Sequence, residues 1–230
     1  MASDDELFIQ TPNLTVFSAR RNSGKTHFMT YLLYQMKHLF DYILIINPTA
    51  MNGHWPTYTS NIIEEFDEGI ITQIMDKQQD IVRKYQENMK IYNKLPATKK
   101  AQTTVPKCNK VLIIMDDCLG DTQFSSRVFE RLASRGRHYM ITAWITCQHY
   151  PKMPKCVRNN TDYMIISGNQ TCYKVIFEDF GADYDNIKDF IAAVKEGIKD
   201  YGMFAIDNLK NKTCNLRAPR ELPVFRIRQK

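Results

Sequence analysis

The sequence lacks any apolar run close to the roughly 20 residues that span a bilayer. Its longest strongly apolar runs, Tyr42–Ile46 and Val111–Met115, have five residues each. The first ten residues, MASDDELFIQ, are acidic and lack the basic and apolar regions of a secretory signal. We therefore expect no integral membrane association and no entry into the secretory route.

Closely spaced cysteine pairs are also missing. The six cysteines lie far apart and form no CxxC motif, which argues against a disulfide framework and favours free thiols in a reducing compartment. His138 and His149 lie near Cys147 and Cys156, but their spacing fits no zinc-binding pattern. The sequence therefore gives no reason to expect a structural zinc ion.

Glycine and proline are scarce, with nine of each in 230 residues, which excludes a collagen-like or low-complexity chain. Hydrophobic residues make up 43% and charged residues 24%, the balance of a globular protein with a sizeable core. The length favours one large domain, and no internal repeat is evident. We expect a single domain over residues 1–210, followed by a basic tail over residues 211–230.

The net charge of +6 is concentrated at one end of the sequence. Residues 210–230 contain seven Lys or Arg and one acid, so they account for the whole excess. A second basic stretch, residues 127–158, has seven Lys or Arg against Glu130 alone. Two cationic segments on a neutral body favour a polyanionic partner, nucleic acid or nucleotide phosphates; solvated surface charge is the alternative. The candidate DNA-contacting residues are Arg127, Arg131, Arg135, Arg137, Lys152 and Lys155.

Hydrophobic periodicity predicts strands that alternate with helices. Continuous apolar runs indicate strands buried on both faces of a parallel sheet, and apolar residues spaced by three and four indicate helices. The pattern predicts an α/β fold with a mostly parallel central sheet flanked by helices. The predicted strands are 15–18, 42–46, 111–115, 140–146, 163–167 and 203–206; the predicted helices are 25–40, 70–94, 125–134 and 183–199, with a loop over 95–109.

The sharpest motif lies between the first predicted strand and the first predicted helix. It matches the phosphate-binding pattern G-x-x-x-x-G-K-[ST], except that Ala19 replaces the first glycine. Free backbone amides and the positive helix end converge there on a polyphosphate. Lys25 is expected to reach the β- and γ-phosphates and Thr26 to ligate Mg²⁺. The candidate nucleotide-binding residues are Ala19, Arg20, Arg21, Asn22, Ser23, Gly24, Lys25 and Thr26.

A carboxylate pair follows the apolar run at residues 111–115. Ligands of open α/β sheets bind at the carboxyl ends of strands, so Asp116 is the expected Walker B aspartate that holds Mg²⁺. Asp117 is the candidate general base for an attacking water. The alternative is an Asp-Asp turn that caps the next segment.

Gln148 follows the next predicted strand and is a candidate sensor of the γ-phosphate or the lytic water. The alternative is an amide that satisfies a loop backbone. The arginines include candidates for one more catalytic group, because an arginine of one subunit could stabilise transition-state charge in the site of its neighbour. Each single arginine is otherwise a surface or DNA-facing charge.

Several longer segments carry a family resemblance. The chain resembles the genome-packaging ATPases of poxviruses, giant viruses and related viruses with double jelly-roll capsids, in the FtsK/HerA superfamily of P-loop motors. The resemblance covers about residues 15–168. It rests on the segments SARRNSGKT, INPT, HWP, LIIMDDCL, ASRGRHYMIT and ITCQHYPKMPKCVRNNTDYMII.

This resemblance implies a P-loop fold of the RecA and FtsK/HerA type and a motor driven by ATP and Mg²⁺. It implies a ring of subunits, a hexamer or pentamer, that threads double-stranded DNA into a preformed capsid through contact with capsid or portal vertex proteins. The implied location is the viral factory in the host cytoplasm, with association with the virion as a further option. By the same resemblance Arg158 is the arginine that reaches the neighbouring ATP, with Arg135 and Arg137 in reserve. Departures from the superfamily are Ala19 and the use of Asp117 where a glutamate is usual.

The sequence alone leaves two other functions open. A nucleoside or nucleotide kinase would use the same phosphate loop, with the arginine-rich helix around Arg131 as a lid. A DNA-binding scaffold without enzymatic activity would explain the basic segments but leave Lys25 and Asp116 without a role. A GTPase is less favoured, because no Asn-Lys-x-Asp motif occurs.

Overall fold

The computed structural model describes residues 9–48, 54–118 and 126–227. The acidic first eight residues, Ser125 of the predicted helix 125–134 and the last three residues of the basic tail lie outside them. The strands are β1 Leu14–Ala19, β2 Tyr42–Ile46, β3 Ile62–Ile63, β4 Val111–Met115, β5 Ile141–Cys147, β6 Tyr163–Ser167, β7 Met203–Asp207 and β8 Lys212–Leu216.

These eight strands form one sheet in the order β3-β2-β4-β5-β1-β6-β7-β8. All neighbours are parallel from β3 to β6, and β7 is antiparallel to both β6 and β8. The predicted mostly parallel α/β fold is confirmed.

The central strands β1, β4, β5 and β6 are mostly apolar and are buried along their whole length, because both faces of the sheet are covered. Alternate residues point to opposite sides, so Ile113 packs in one core and Leu112 in the other. The helices are α1 Lys25–Met36, α2 Glu68–Asn93, α3 Ala97–Lys100, α4 Arg127–Arg135, α5 Lys155–Asn160, α6 Tyr173–Phe180 and α7 Ile187–Gly197. One core lies under α2, α4, α6 and α7; the other lies under α1, Trp55 and Phe225.

The helix ends follow local chemistry. Asp67 caps α2 by accepting a hydrogen bond from the Ile70 amide, and Ser126 caps α4 through the amides of Val128 and Phe129. Asn186 caps α7 in the same way, so this helix begins at Ile187 instead of the predicted residue 183. The first helix ends at Met36 and continues to Leu39 as a 3₁₀ turn, which shortens the prediction of 25–40.

Several elements were not predicted. The short helices α3, α5 and α6 were missed, and α3 lies within the predicted loop 95–109. The edge strand β8 was also missed; it lies in the stretch that the sequence sets apart as a basic tail, where it pairs with β7. Farther along this stretch, Phe225 is 8% exposed and packs on Tyr34 and Tyr58.

All six cysteines are free, and Cys147 and Cys172 are buried. Burial raises the pKa of the Cys147 thiol to about 12, which keeps it protonated. Within the described parts of the chain, no helix has both the length and the apolar character needed to cross a membrane.

Candidate nucleotide-binding site

The phosphate-loop motif connects the end of β1 to the start of α1, as the sequence predicts. Ala19 is the last residue of β1 and pairs with Ser167 of β6, so its backbone is extended and needs no glycine. The loop turns instead at Asn22 and Gly24, whose φ angles are 58° and 83°. Left-handed backbone is unfavourable for most side chains, which explains a glycine and an asparagine at these two positions.

Lys25 and Thr26, at the start of α1, face the end of β4. The Thr26 hydroxyl donates to Asp116 Oδ2 over 3.1 Å. Lys25 Nζ lies 2.5 Å from Asp117 Oδ2 and 3.9 Å from Asp116 Oδ1. The structure therefore brings together the four residues that the sequence assigned to phosphate, metal and water chemistry.

Asp116 is 2% exposed and strongly held. Besides Thr26, its Oδ2 accepts hydrogen bonds from Trp55 Nε1 at 3.0 Å and Asn47 Nδ2 at 3.3 Å. Burial raises the pKa of this carboxyl, although the Lys25 charge opposes the rise. Oδ1 is buried and accepts no hydrogen bond from any described residue. A fixed carboxylate with one oxygen that accepts no hydrogen bond, next to a threonine hydroxyl, fits a hard cation such as Mg²⁺.

Trp55 and Asn47 are site residues to which the sequence reasoning gave no function. They belong to the HWP and INPT segments of the resemblance. Neighbouring His54 lies 2.7 Å through Nε2 from the hydroxyl of Thr30 on α1, so the HWP segment links α1 to Asp116. Burial lowers the pKa of His54, which keeps it neutral at pH 7.

Asp117 lies just beyond the end of β4 with a φ of 53°. Its amide donates to Thr146 Oγ1 of β5 over 2.8 Å, which fixes this left-handed turn. Gln148 follows β5 and lies 3.5 Å through Nε2 from Asp117 Oδ1, a long contact. Because β5 lies between β1 and β4, Gln148 reaches the space between the phosphate loop and the aspartates.

A second glutamine, which sequence reasoning missed, fastens the loop from the other side. Gln170 is 7% exposed, accepts from Ser18 Oγ at 3.0 Å and donates to the backbone carbonyls of Ser18 and Ser167 at 3.1 and 2.9 Å. Ser23 Oγ also lies 2.8 Å from Ser167 Oγ. No local motif marks Gln170, because its partners are distant in sequence.

The predicted trans-acting Arg158 is on α5, and within its own chain it pairs with Asp179 of α6 at 2.9 Å. Tyr150 donates to the same Asp179 oxygen at 2.8 Å, and burial together with Asp179 raises the pKa of its hydroxyl. Arg158 is therefore not among the residues around Lys25, and its predicted role requires a neighbouring subunit.

The candidate DNA-contacting residues differ in their surroundings. Arg131 is half-buried and forms an ion pair with the exposed Asp76 at 2.9 Å. Arg137 instead pairs with Asp162 at 2.5 Å, and Asp162 also accepts from the Leu14 amide at the start of β1. Arg137 therefore lies where β1 and β6 begin, at the opposite end of these strands from the phosphate loop. The residues that remain exposed are Arg127, Arg135, Lys152 and Lys155.

The arginine-rich helix α4 is part of the layer that covers the sheet. Phe129, Leu132 and Ala133 are fully buried in the core beneath it. A lid that closes over a nucleotide would not be anchored in this way. The structure thus removes the feature that favoured a nucleotide kinase.

Together, the strand-loop-helix motif and the facing aspartates define the chain as a P-loop nucleotide-binding protein of the ATPase type. A family model described as "Poxvirus A32 protein" matches residues 4–188, and the chain belongs to this family. The predicted membership is confirmed.

Two viral proteins are similar along most of the chain. Uncharacterized protein L437 of Acanthamoeba polyphaga mimivirus is 23% identical over 201 residues, which cover 85% of this chain. Uncharacterized protein 075L of Invertebrate iridescent virus 6 is 22% identical over 202 residues, or 84% of this chain. The matches span 66% and 69% of the length of these two relatives.

Solved structures share the fold. The genome packaging NTPase B204 from Sulfolobus turreted icosahedral virus 2, in complex with ATP-gammaS, superposes with a TM-score of 0.55 at 14% identity, covering 89% of this chain and 96% of that chain. The pCW3 conjugation coupling protein TcpA, with ATPgS, gives a TM-score of 0.56 at 13% identity, covering 88% of this chain and 59% of TcpA. At these identities the likeness concerns the fold.

Proposed function

We propose that the protein is an ATP-hydrolysing motor that moves double-stranded viral DNA into a preformed capsid. The observation that carries this proposal is the contact between Thr26 and Asp116, made next to Lys25 and to a buried carboxylate oxygen that accepts no hydrogen bond from any described residue. Family membership and the fold shared with a viral genome packaging NTPase support the step from nucleotide binding to packaging.

Thr26 and Asp116 would hold Mg²⁺, which neutralises charge on the β- and γ-phosphates when bound. Trp55 and Asn47 keep the Asp116 carboxylate in one orientation. Lys25, 8% exposed at its side chain, places its positive charge where little water competes for it. A phosphate bound in front of the loop would attract Lys25 away from Asp117.

Asp117 is then free to accept a proton from the attacking water, with Gln148 beside it to orient that water. The aspartate side chain is one carbon–carbon bond shorter than that of glutamate. The left-handed backbone of Asp117 changes the direction in which its carboxylate points. We propose that this turn compensates for the shorter side chain. Arg158 of a neighbouring subunit would complete the site.

The protein would act as a ring, a hexamer or pentamer, on DNA held by phosphate contacts without base recognition. The exposed residues Arg127, Arg135, Lys152 and Lys155 are the strongest candidates for these contacts. Capsid or portal vertex proteins would be the other partners. The place of action would be the host cytoplasm where new particles assemble, with the virion as a further location.

The test is ATP turnover measured with and without linear duplex DNA, alongside the mass in solution with a non-hydrolysable ATP analogue. We expect turnover that DNA stimulates, and a ring that nucleotide promotes. Lys25→Ala and Asp117→Asn should each lower turnover at least about 100-fold. Lys84→Ala, an exposed lysine on α2, is the matched control and should leave turnover unchanged.

DNA binding should weaken steeply with salt and be indifferent to sequence. Binding that ignores salt and selects a sequence would contradict a motor that grips the phosphate backbone. Turnover that DNA does not change, by a protein that remains monomeric with nucleotide, would contradict the motor as a whole.

A further inference from the structure

A cavity of about 640 Å³ opens beside the phosphate loop, on the side away from the aspartates. Gly24 and His27 line it from α1, and the start of β7 and the segment after β8 form its other walls. Its volume is in the range of pockets that hold small organic ligands. Its lining includes Gly24, His27, Tyr201, Met203, Arg217 and Arg220.

The order of strands determines which end of a nucleotide can reach this cavity. Lys25 and Thr26 face Asp116 and Asp117 at the end of β4, so the terminal phosphates and the metal belong on that side. In the sheet, β4 and β7 lie on opposite sides of β1, and Met203 is the first residue of β7. A triphosphate that follows the loop therefore directs its nucleoside end toward the cavity.

Tyr201 presents an aromatic surface at the mouth of this cavity. Its side chain packs against the loop, since a carbon added at Gly24 would lie 3.5 Å from Tyr201 Cδ1. The residue is nevertheless 73% exposed, which is unusual for a tyrosine. Aromatic side chains that are exposed beside a phosphate site are suited to stacking on a base.

The backbone that holds Tyr201 is strained and firmly fixed. Asp200 and Tyr201 have φ angles of 51° and 60°, each unfavourable for a residue with a side chain. Gly202 has no room for a side chain, because an added carbon would lie 2.2 Å from the Gly197 carbonyl oxygen. Arg217 Nη2 donates to the Lys199 carbonyl over 3.1 Å. These contacts hold two successive residues in an unfavourable backbone conformation.

The opposite wall comes from the basic stretch after β8. His27 Nε2 lies 2.7 Å from the Pro219 carbonyl oxygen, which ties this stretch to α1. Arg217 and Arg220 bring positive charge to the cavity next to the phosphate loop. Part of the cationic excess at the end of the sequence therefore surrounds the cavity rather than extending into solvent.

We propose that this cavity binds the nucleoside end of the nucleotide, with the purine ring stacked on Tyr201. Arg217 and Arg220 lie where they can neutralise the phosphate nearest the nucleoside. This inference rests on the proposed function only in requiring a triphosphate on the Lys25 loop. It assigns nucleotide recognition to residues 201–220, beyond the segment that the family model matches.

The test compares two probes by calorimetry, Mg²⁺ with ATP-gammaS and Mg²⁺ with tripolyphosphate, which has no nucleoside. Tyr201→Ala should weaken ATP-gammaS binding about 10-fold or more, the range expected on losing one stacked base, and leave tripolyphosphate binding unchanged. Tyr201→Phe, which keeps the ring, should bind both probes like the unaltered protein. Alanine and phenylalanine both have a Cβ, so neither removes the need for the left-handed backbone.

Tyr92→Ala, on the distant helix α2, is the matched control and should change neither affinity. If Tyr201→Ala binds ATP-gammaS as tightly as the unaltered protein does, the nucleoside lies elsewhere and the motor proposal survives. Equal weakening of both probes would make Tyr201 a support of the loop and would also overturn the inference. If the unaltered protein binds neither probe, the nucleotide site itself is wrong.

Discussion

At the scale of single residues, the site depends on how one buried carboxylate is held. Asp116 receives three hydrogen bonds on one oxygen, from Thr26, Asn47 and Trp55. Hydrogen bonds to a charged acceptor contribute about 1.5–3 kcal/mol each. The Asp116 orientation is therefore set partly by Asn47 and Trp55, which lie outside the phosphate loop.

Trp55→Phe should lower ATP turnover about 10-fold or more and raise the Mg²⁺ concentration needed for half-maximal rate, as expected on losing a group that orients a metal ligand. The change removes the indole N–H that donates to Asp116 but keeps an aromatic ring in the core. Trp144→Phe is the matched control: Trp144 is also fully buried, and its Nε1 has no partner among the described residues. Steady-state rates over a Mg²⁺ series provide the measurement. Equal effects of the two substitutions would show that the loss of turnover comes from changed packing and not from the lost hydrogen bond.

The residue scale also shows what a sequence can reveal of such a site. Lys25, Thr26 and the aspartate pair follow recognisable motifs, and they were predicted as a group. Trp55 and Gln170 act through partners more than 60 and about 150 positions away. Such contacts depend on which strands become neighbours, and periodicity contains no information on strand order.

At the scale of elements, the long and regular segments were predictable and the short ones were not. Strands β2, β4 and β6 match their predicted bounds, because each is an apolar run buried on both faces. Helices α5 and α6 have six and eight residues, too few for a clear period. Strand β8 is an edge strand with exposed polar residues, so its sequence resembles a solvated tail.

The ion pair of Arg137 with Asp162 is an element-scale contact that joins the turn before β5 to β6. Asp162 is buried, and burial raises its pKa above the ordinary 3.8 against the opposing effects of the Leu14 amide and Arg137. Because the pKa of Asp162 is higher in the folded state than in the unfolded state, its ionisation lowers the free energy of unfolding as the pH rises above about 3.8 and through the raised pKa. Removing Arg137 raises the pKa further, so the loss grows with pH.

Arg137→Ala should therefore lower the free energy of unfolding by about 2 kcal/mol at pH 7 and by less below pH 4. Urea denaturation at the two pH values gives the comparison. Arg127→Ala, an exposed arginine on α4, should change stability by no more than about 0.5 kcal/mol at either pH. A loss for Arg137→Ala that is the same at both pH values would show that Asp162 ionisation is not responsible.

At the scale of the whole molecule, Arg158 is the predicted catalytic residue that does not lie beside Lys25 within its own chain. Arg158 is 19% exposed at its side chain and bound to Asp179, and its Nε is buried without a partner in the described parts of the chain. If Arg158 serves a neighbouring site, subunit contact must offer it an anion that competes with Asp179.

If Arg158 acts in the site of a neighbouring subunit, its effect on turnover depends on the assembly of subunits. Arg158→Ala alone should lower turnover about 10³-fold or more, because no subunit then presents an arginine to its neighbour. Mixing it with Lys25→Ala should restore part of the activity: an Arg158→Ala subunit keeps its own Lys25 and receives an intact Arg158 from the partner. Turnover of each variant and of the mixture is measured at one total concentration.

Asn159→Ala, an exposed neighbour on α5, is the control for damage to the helix. If mixing restores nothing while Arg158→Ala unfolds at an unchanged temperature, Arg158 acts within its own chain, and the arginine supplied between subunits must be sought at Arg135 or elsewhere.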